Sequence, residues 1–180
     1  MEVGKEEEPM MNGGDQEEGA PCITNAFAAS PERSTIQPHF DSLQISTDGS
    51  FLLGASNLNG QRWDGSIWLW RDSQALLIPS KARAAYFNPA GISDVAFLDK
   101  GQKVLAAEDT GVIHILKADE DEDGKGYFAH LAAVEENDDA ILSLSVNHQT
   151  EIVISGSADK RSETFHLQLP RNEVECYFAT

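Results

Sequence analysis

Three stretches of this chain repeat one pattern, and that repetition limits the fold more than any other feature. Ser42 to Ser56 reads SLQISTDGSFLLGAS, Asp94 to Glu108 reads DVAFLDKGQKVLAAE, and Ser143 to Ser157 reads SLSVNHQTEIVISGS. Each has an alternating strand, a polar turn, and an apolar strand that ends in small residues. Leu43, Val95 and Leu144 correspond, as do Ile45, Phe97 and Val146. In the second strand Leu52-Leu53, Val104-Leu105 and Val153-Ile154 are taken as equivalent. An aspartate then follows in each: Asp64 before SIWLW, Asp109 before VIHIL, and Asp159 before TFHLQL. A further β-like piece closes each unit: ALLIPS, YFAHLAAV and EVECYF.

Four short strands at a period of about 50 residues predict one blade of a propeller per repeat. The chain is therefore expected to be all-β, with blades near 40–88, 89–139 and 140–180. Residues 1–35 are rich in Gly, Glu, Pro and Ser, lack periodicity, and are expected to form a disordered acidic tail, which leaves 36–180 as the partial propeller.

The pattern resembles the WD-repeat β-propellers, down to the Ser-x-Asp turn at Ser157-Ala158-Asp159. The Trp-Asp dipeptide itself is absent; its nearest form is Trp70-Arg71-Asp72. Phe51 to Asp72, FLLGASNLNGQRWDGSIWLWRD, is similar to the first blade of the methylosome WD-repeat family, partners of the symmetric-dimethylating protein arginine methyltransferase. The likeness continues more loosely through SDVAF, VLAAEDTGVI and ISGSADK. After Lys160, RSETFHLQLP replaces the regular strand of that family.

All three tryptophans fall between Leu58 and Trp70. Trp68 and Trp70 share one face of a strand while Ile67 and Leu69 share the other, so both tryptophans are expected to be structural core. Trp63 is different. It falls in residues 57–63, an insertion that the other two repeats lack. One reading packs it back onto its own blade. The other makes it a protein-binding anchor, since Trp and Arg are enriched at interface hot spots and Arg62 stands beside it. The resemblance supports the anchor: it implies that Trp63 docks into the methyltransferase's N-terminal barrel domain, flanked by Leu58, Gln61 and Arg62. It also implies that Asp64, Asp109 and Asp159 are structural turn residues, although the histidine that usually accompanies such an aspartate is not evident.

The charge narrows the partners. Thirty acidic against 13 basic residues give −17. Binding to nucleic acid or an anionic membrane needs neutralising Lys and Arg, so neither is an expected partner. Acid concentrates in residues 2–18 and 119–139. Residues 119–130, DEDEDGKGYFAH, begin like a calcium loop, but the twelfth position is His130 rather than a bidentate Glu, so an acidic inter-strand loop is expected instead. A second, lesser reading makes this segment a docking surface for basic tails, such as those of histones or Arg-rich proteins. Cys22 and Cys176 have no CxxC spacing, and the five histidines have no metal-ligand spacing. There is no nucleophile elbow, glycine-rich phosphate loop or His-Glu-x-x-His.

No signal-peptide pattern or membrane-length apolar run occurs. A cytoplasmic and nuclear setting is expected. The resemblance implies a non-enzymatic adaptor without a cofactor, which holds the methyltransferase and helps to present histones and Sm proteins. The alternative is a generic WD-repeat interaction module with another partner. Three blades fall short of the four to eight that close a propeller, so a truncated form is expected. Such an arc, expressed alone, should be unstable or self-associating; a monomer that melts cooperatively would contradict that.

Overall fold

The computed structural model describes residues 35–135, 137–150, 152–160, 162–168 and 175–178, with side chains described through Lys160 apart from Arg62. The tail expected over residues 1–35 lies outside them, except for Thr35.

Among the described residues, twelve strands form three antiparallel meanders of four. The first sheet joins β1 (His39–Ile45), β2 (Phe51–Asn59), β3 (Arg62–Trp70) and β4 (Ala84–Asn88). The second joins β5 (Ile92–Phe97), β6 (Lys103–Glu108), β7 (Ile113–Glu120) and β8 (Gly126–Val134). The third joins β9 (Ile141–Asn147), β10 (Ile152–Ser157), β11 (Ser162–Gln168) and β12 (Glu175–Phe178). The fold is all-β: three four-stranded antiparallel sheets with the form of blades of a partial propeller.

The middle sheet is covered on both faces, and the period-two geometry of a strand explains how. Along β6, Val104 and Ala106 point to the first sheet and join Val95 and Phe128 of their own sheet in a cluster with Leu52, Ile67, Leu69 and Tyr86 of the first. Leu105 and Ala107 point to the third and, with Ile113 and Ile115 of their own sheet, cluster with Ile141, Leu144 and Val153. A strand buried on both faces must be apolar at every step, which is why KVLAAE shows no polar alternation.

At the inner edge, β5 lies against β1 on one side and β9 on the other. Asp94 ties the three together. Its Oδ1 accepts the Ser42 hydroxyl at 2.6 Å and the Val95 N–H at 2.8 Å, and its Oδ2 accepts the Leu144 N–H at 2.7 Å.

The register corrects several expectations. Ile45 faces Phe51, Phe97 faces Val104, and Val146 faces Val153. Phe51, not Leu52, is thus the equivalent of Val104 and Val153. The turn at 46–50 is one residue shorter than those at 98–103 and 147–152, and a slip of one residue moves every side chain to the opposite face.

The fourth strand of the first sheet is AAYFN, not ALLIPS. Asp72 Oδ1 accepts the N–H groups of Gln74 and Ala75, both at 2.9 Å, and turns the chain away from the sheet. Pro79 then opens a single 3-10 turn, Pro79–Lys81.

The diverted segment has a use. Ala75, Leu76 and Ala82, with Ile36, cover the outward face of the first sheet over Leu53, Trp68 and Trp70. Both tryptophans are buried there, stacked with ring centres 6.0 Å apart. Trp70 donates its indole N–H to the Ile78 carbonyl at 3.0 Å, and Trp68 donates to Ser66 Oγ at 2.8 Å. They are core, but under this cap rather than against a neighbouring blade.

Residues 119–130 form a β-hairpin: β7 ends at Glu120, β8 begins at Gly126, and Asp121 Oδ1 accepts the N–H groups of Asp123 and Lys125. VIHIL is no helix: Ile113, His114 and Ile115 pair with Val134, Ala133 and Ala132 of β8, and a bulge precedes the pairing of Leu116 with His130.

Replacing Asp94 with Ala would strand the Leu144 N–H and unlink three inner strands. The expected loss is about 1–3 kcal/mol of unfolding free energy, read as a lower urea midpoint at unchanged slope. A midpoint equal to wild type would show that the bridge adds no net stability.

Candidate partner-binding site

The β2–β3 hairpin is where the first sheet departs from the other two. The repeat register places residues 56–65 where the second sheet has 109–111 and the third 158–160. The expected insertion is therefore present as extra ladder. It is not a loop: Leu58 pairs with Trp63, Asn57 with Asp64, and Ser56 with Gly65. Gly60 and Gln61 alone make the tip, where Asn59 Oδ1 accepts the Gln61 N–H at 3.1 Å. Trp63 thus belongs to strand β3. Asp64 is likewise mid-strand, which overturns its reading as a turn residue. Alternation of small polar residues with Leu58 and Trp63 suits a ladder open to water on one side.

Two clamps fix the base of the hairpin to β5. Ser56 Oγ accepts the Ile92 N–H at 2.9 Å and donates to the Ile92 carbonyl at 3.2 Å. At Gly65 an added Cβ would meet the Ala90 carbonyl at 2.7 Å and the Ile92 nitrogen at 3.0 Å, both backbone atoms that cannot yield cheaply. The hairpin therefore projects from a rigid seat.

Leu58 and Trp63 lie on the face turned toward the second sheet, and both stay open to solvent, Leu58 by 41% and Trp63 by 59%. Trp63 neither folds back into a core nor hangs free. Its indole N–H donates to Asp109 Oδ2, in the β6–β7 turn. Asp109 is brought close by its own N–H, which donates to the Gly91 carbonyl at 3.1 Å. Gly91 leaves the room: a Cβ there would come within 2.5 Å of Asp109 Oδ2 and 3.3 Å of Leu58. Gln61 is exposed at the tip. Arg62 opens β3, and its side chain is not among those described. The structure thus brings Leu58, Gln61, Trp63 and Asp109 to one edge. Asp159 stands apart in the β10–β11 turn, where it accepts the Asp138 N–H at 3.2 Å.

The second blade is braced by a residue that the sequence did not single out. Glu108 is buried. It pairs with His114 Nε2, accepts Asn88 Nδ2 at 2.6 Å, and takes the Thr110 hydroxyl on its other oxygen. His114 Nδ1 lies 2.9 Å from His130 Nε2. His114 supplies the histidine that was not evident, but to Glu108 rather than to Asp109. His166 of the third sheet stands at a different register position. His166 pairs with Ile152, whereas His114 pairs with Ala106, which is equivalent to Ser155. Asn88, Glu108 and His130 lie far apart in sequence with no motif spacing, so only their meeting in space reveals them.

The comparisons now bear on this geometry. No family model matches the chain. Over 113 residues it is 34% identical to a curated protein. The chain resembles methylosome protein WDR77 of Xenopus laevis. The aligned part is 62% of this chain and 32% of WDR77, so the chain spans about a third of that relative's length. WDR77 is a WD-repeat protein, in keeping with the three four-stranded blades.

Burial pushes the Glu108 carboxyl up, but hydrogen bonding and charge from His114, with Thr110 and Asn88, outweigh it and hold the group below its ordinary value of 4.5. A carboxyl lowered in the folded state contributes stability above its unfolded value, and that stability is lost as pH falls through the folded value. Glu108→Gln should therefore flatten the acid limb of the stability profile below about pH 4.5. A thermal-melting series from pH 7 to pH 3 reads this out, and an unchanged acid limb would remove Glu108 from the acid response.

Proposed function

We propose that this chain is a non-catalytic adaptor that binds a protein arginine methyltransferase through the β2–β3 hairpin and helps to present basic substrates, including histones and Sm proteins. The observation that carries the reading is Trp63: a large aromatic ring more than half exposed, on a clamped hairpin that the other two blades lack. A rigid, solvent-facing tryptophan beside Leu58 has the form of an interface anchor. The similarity to a methylosome protein supports the choice of partner. The net charge of −17 suits basic substrates and disfavours direct contact with nucleic acid or an anionic membrane.

In this reading the chain needs no cofactor of its own, and it works in the cytoplasm and the nucleus, where its substrates are made and used. A generic propeller module with another partner accounts less well for the extended hairpin, since the plain turns of the second and third blades would serve it equally.

The test is a binding titration with purified symmetric-dimethylating arginine methyltransferase. Trp63→Ala is expected to weaken binding by about 30-fold or more, the scale of a hot-spot truncation. Leu58→Ala should cost less. A folded Trp63→Ala variant that binds like wild type would end the anchor reading.

A further inference from the structure

We infer that Asp109 is the positioning residue for this anchor: its carboxylate, carried on the second blade, holds the Trp63 indole of the first blade in one presented orientation. The inference rests on the reading of the hairpin as a partner-binding element.

Three observations carry it. The Trp63 indole N–H donates to Asp109 Oδ2, a contact between residues 46 apart in sequence. Asp109 does not brace its own turn in the way the blade pattern suggests. Glu108 does that work through Asn88, Thr110 and His114, while the other carboxylate oxygen of Asp109, Oδ1, is buried with no hydrogen-bond partner. The side chain is thus committed to the neighbouring hairpin. Finally, the backbone has been cleared for the contact. Gly91 offers its carbonyl to the Asp109 N–H and, lacking a Cβ, lets Oδ2 and Leu58 approach together.

The physical role follows. A tryptophan on an exposed ladder can adopt several side-chain rotamers, and a partner that captures it must freeze them. One charge-assisted bond at the indole edge removes that freedom beforehand while more than half of the residue stays open. Asp109 acts through Trp63 and needs no contact of its own with the partner. It also joins the geometry of the site to the packing of two blades, so the anchor is presented only when the first and second sheets are docked.

Asp109→Leu removes the acceptor, whereas Asp109→Asn keeps an oxygen at the same place. With tryptophan labelled in nitrogen-15, the chain gives three indole signals, and Trp63→Phe assigns one of them. Asp109→Leu should move the Trp63 signal and speed its exchange with water, leaving those of Trp68 and Trp70 in place as a check on folding. It should weaken methyltransferase binding by about three- to tenfold, and Asp109→Asn by less. The double variant Trp63→Ala/Asp109→Leu should bind no worse than Trp63→Ala alone.

An unmoved Trp63 signal, or a double variant clearly weaker than Trp63→Ala, overturns the positioning role and leaves the adaptor reading standing. Normal binding by Trp63→Ala overturns the adaptor reading and, with it, any role of Asp109 in recognition.

Discussion

Face-to-face packing of the sheets is the interaction on which everything else depends. The second sheet buries both of its faces, one against the first sheet and one against the third, so no blade has a complete core of its own. Each apolar face is useful only when its neighbour is present, as in other stacked repeat architectures. Asp94 fixes the angular relation of the inner strands, because one carboxylate reaches a hydroxyl of the first sheet and a backbone N–H of the third. The outward face of the first sheet shows the same dependence from the other side. There residues 75–82 and Ile36 fold over the tryptophans, and beyond that cap Leu43 and Ile45 stand exposed among the described residues. Their equivalents Val95 and Phe97 are buried by the neighbouring sheet.

The candidate site is a consequence of that packing. The extra ladder of the first hairpin would be an exposed two-stranded ribbon if it stood alone, and such ribbons are marginal in water. Here Ser56 and the absent side chains of Gly65 and Gly91 seat it on the start of β5 and the end of β4. The Asp109 turn then lies within reach of the Trp63 indole. An aromatic residue at a hairpin edge becomes a presented group only because two blades meet beneath it.

The acidic residues of the β7–β8 hairpin mostly face solvent. Residues 119–123 sit in a solvent-facing hairpin whose carboxylates cap their own backbone turn, as Asp121 does. One contact crosses to the first blade: Glu120 Oε1 accepts Arg71 Nη2 at 3.0 Å, an exposed pair that adds little stability. The buried carboxylate that matters to the second blade is Glu108, which the charge pattern along the chain does not distinguish from its neighbours.

The sequence by itself determined the all-β class, the three-fold repetition and the burial of Trp68 and Trp70. Apolar alternation and turn residues are local signals, and a period of about 50 residues survives in them. It also marked residues 57–63 as an insertion, since a length difference needs no contacts to be read. Register, pairing and contact were decided only in three dimensions. ALLIPS has the composition of a strand, yet Asp72 and Pro79 turn it into a cap, and its apolar groups are satisfied on the tryptophan face instead of in a ladder. The one-residue shift in β2 depends on a turn length that becomes visible only once partners are paired. Asp64 and Asp109 look alike in sequence, each an aspartate ahead of an apolar strand. Tertiary structure puts the first inside a ladder and aims the second at an indole on another blade, because a residue's role follows from what packing brings within hydrogen-bond reach.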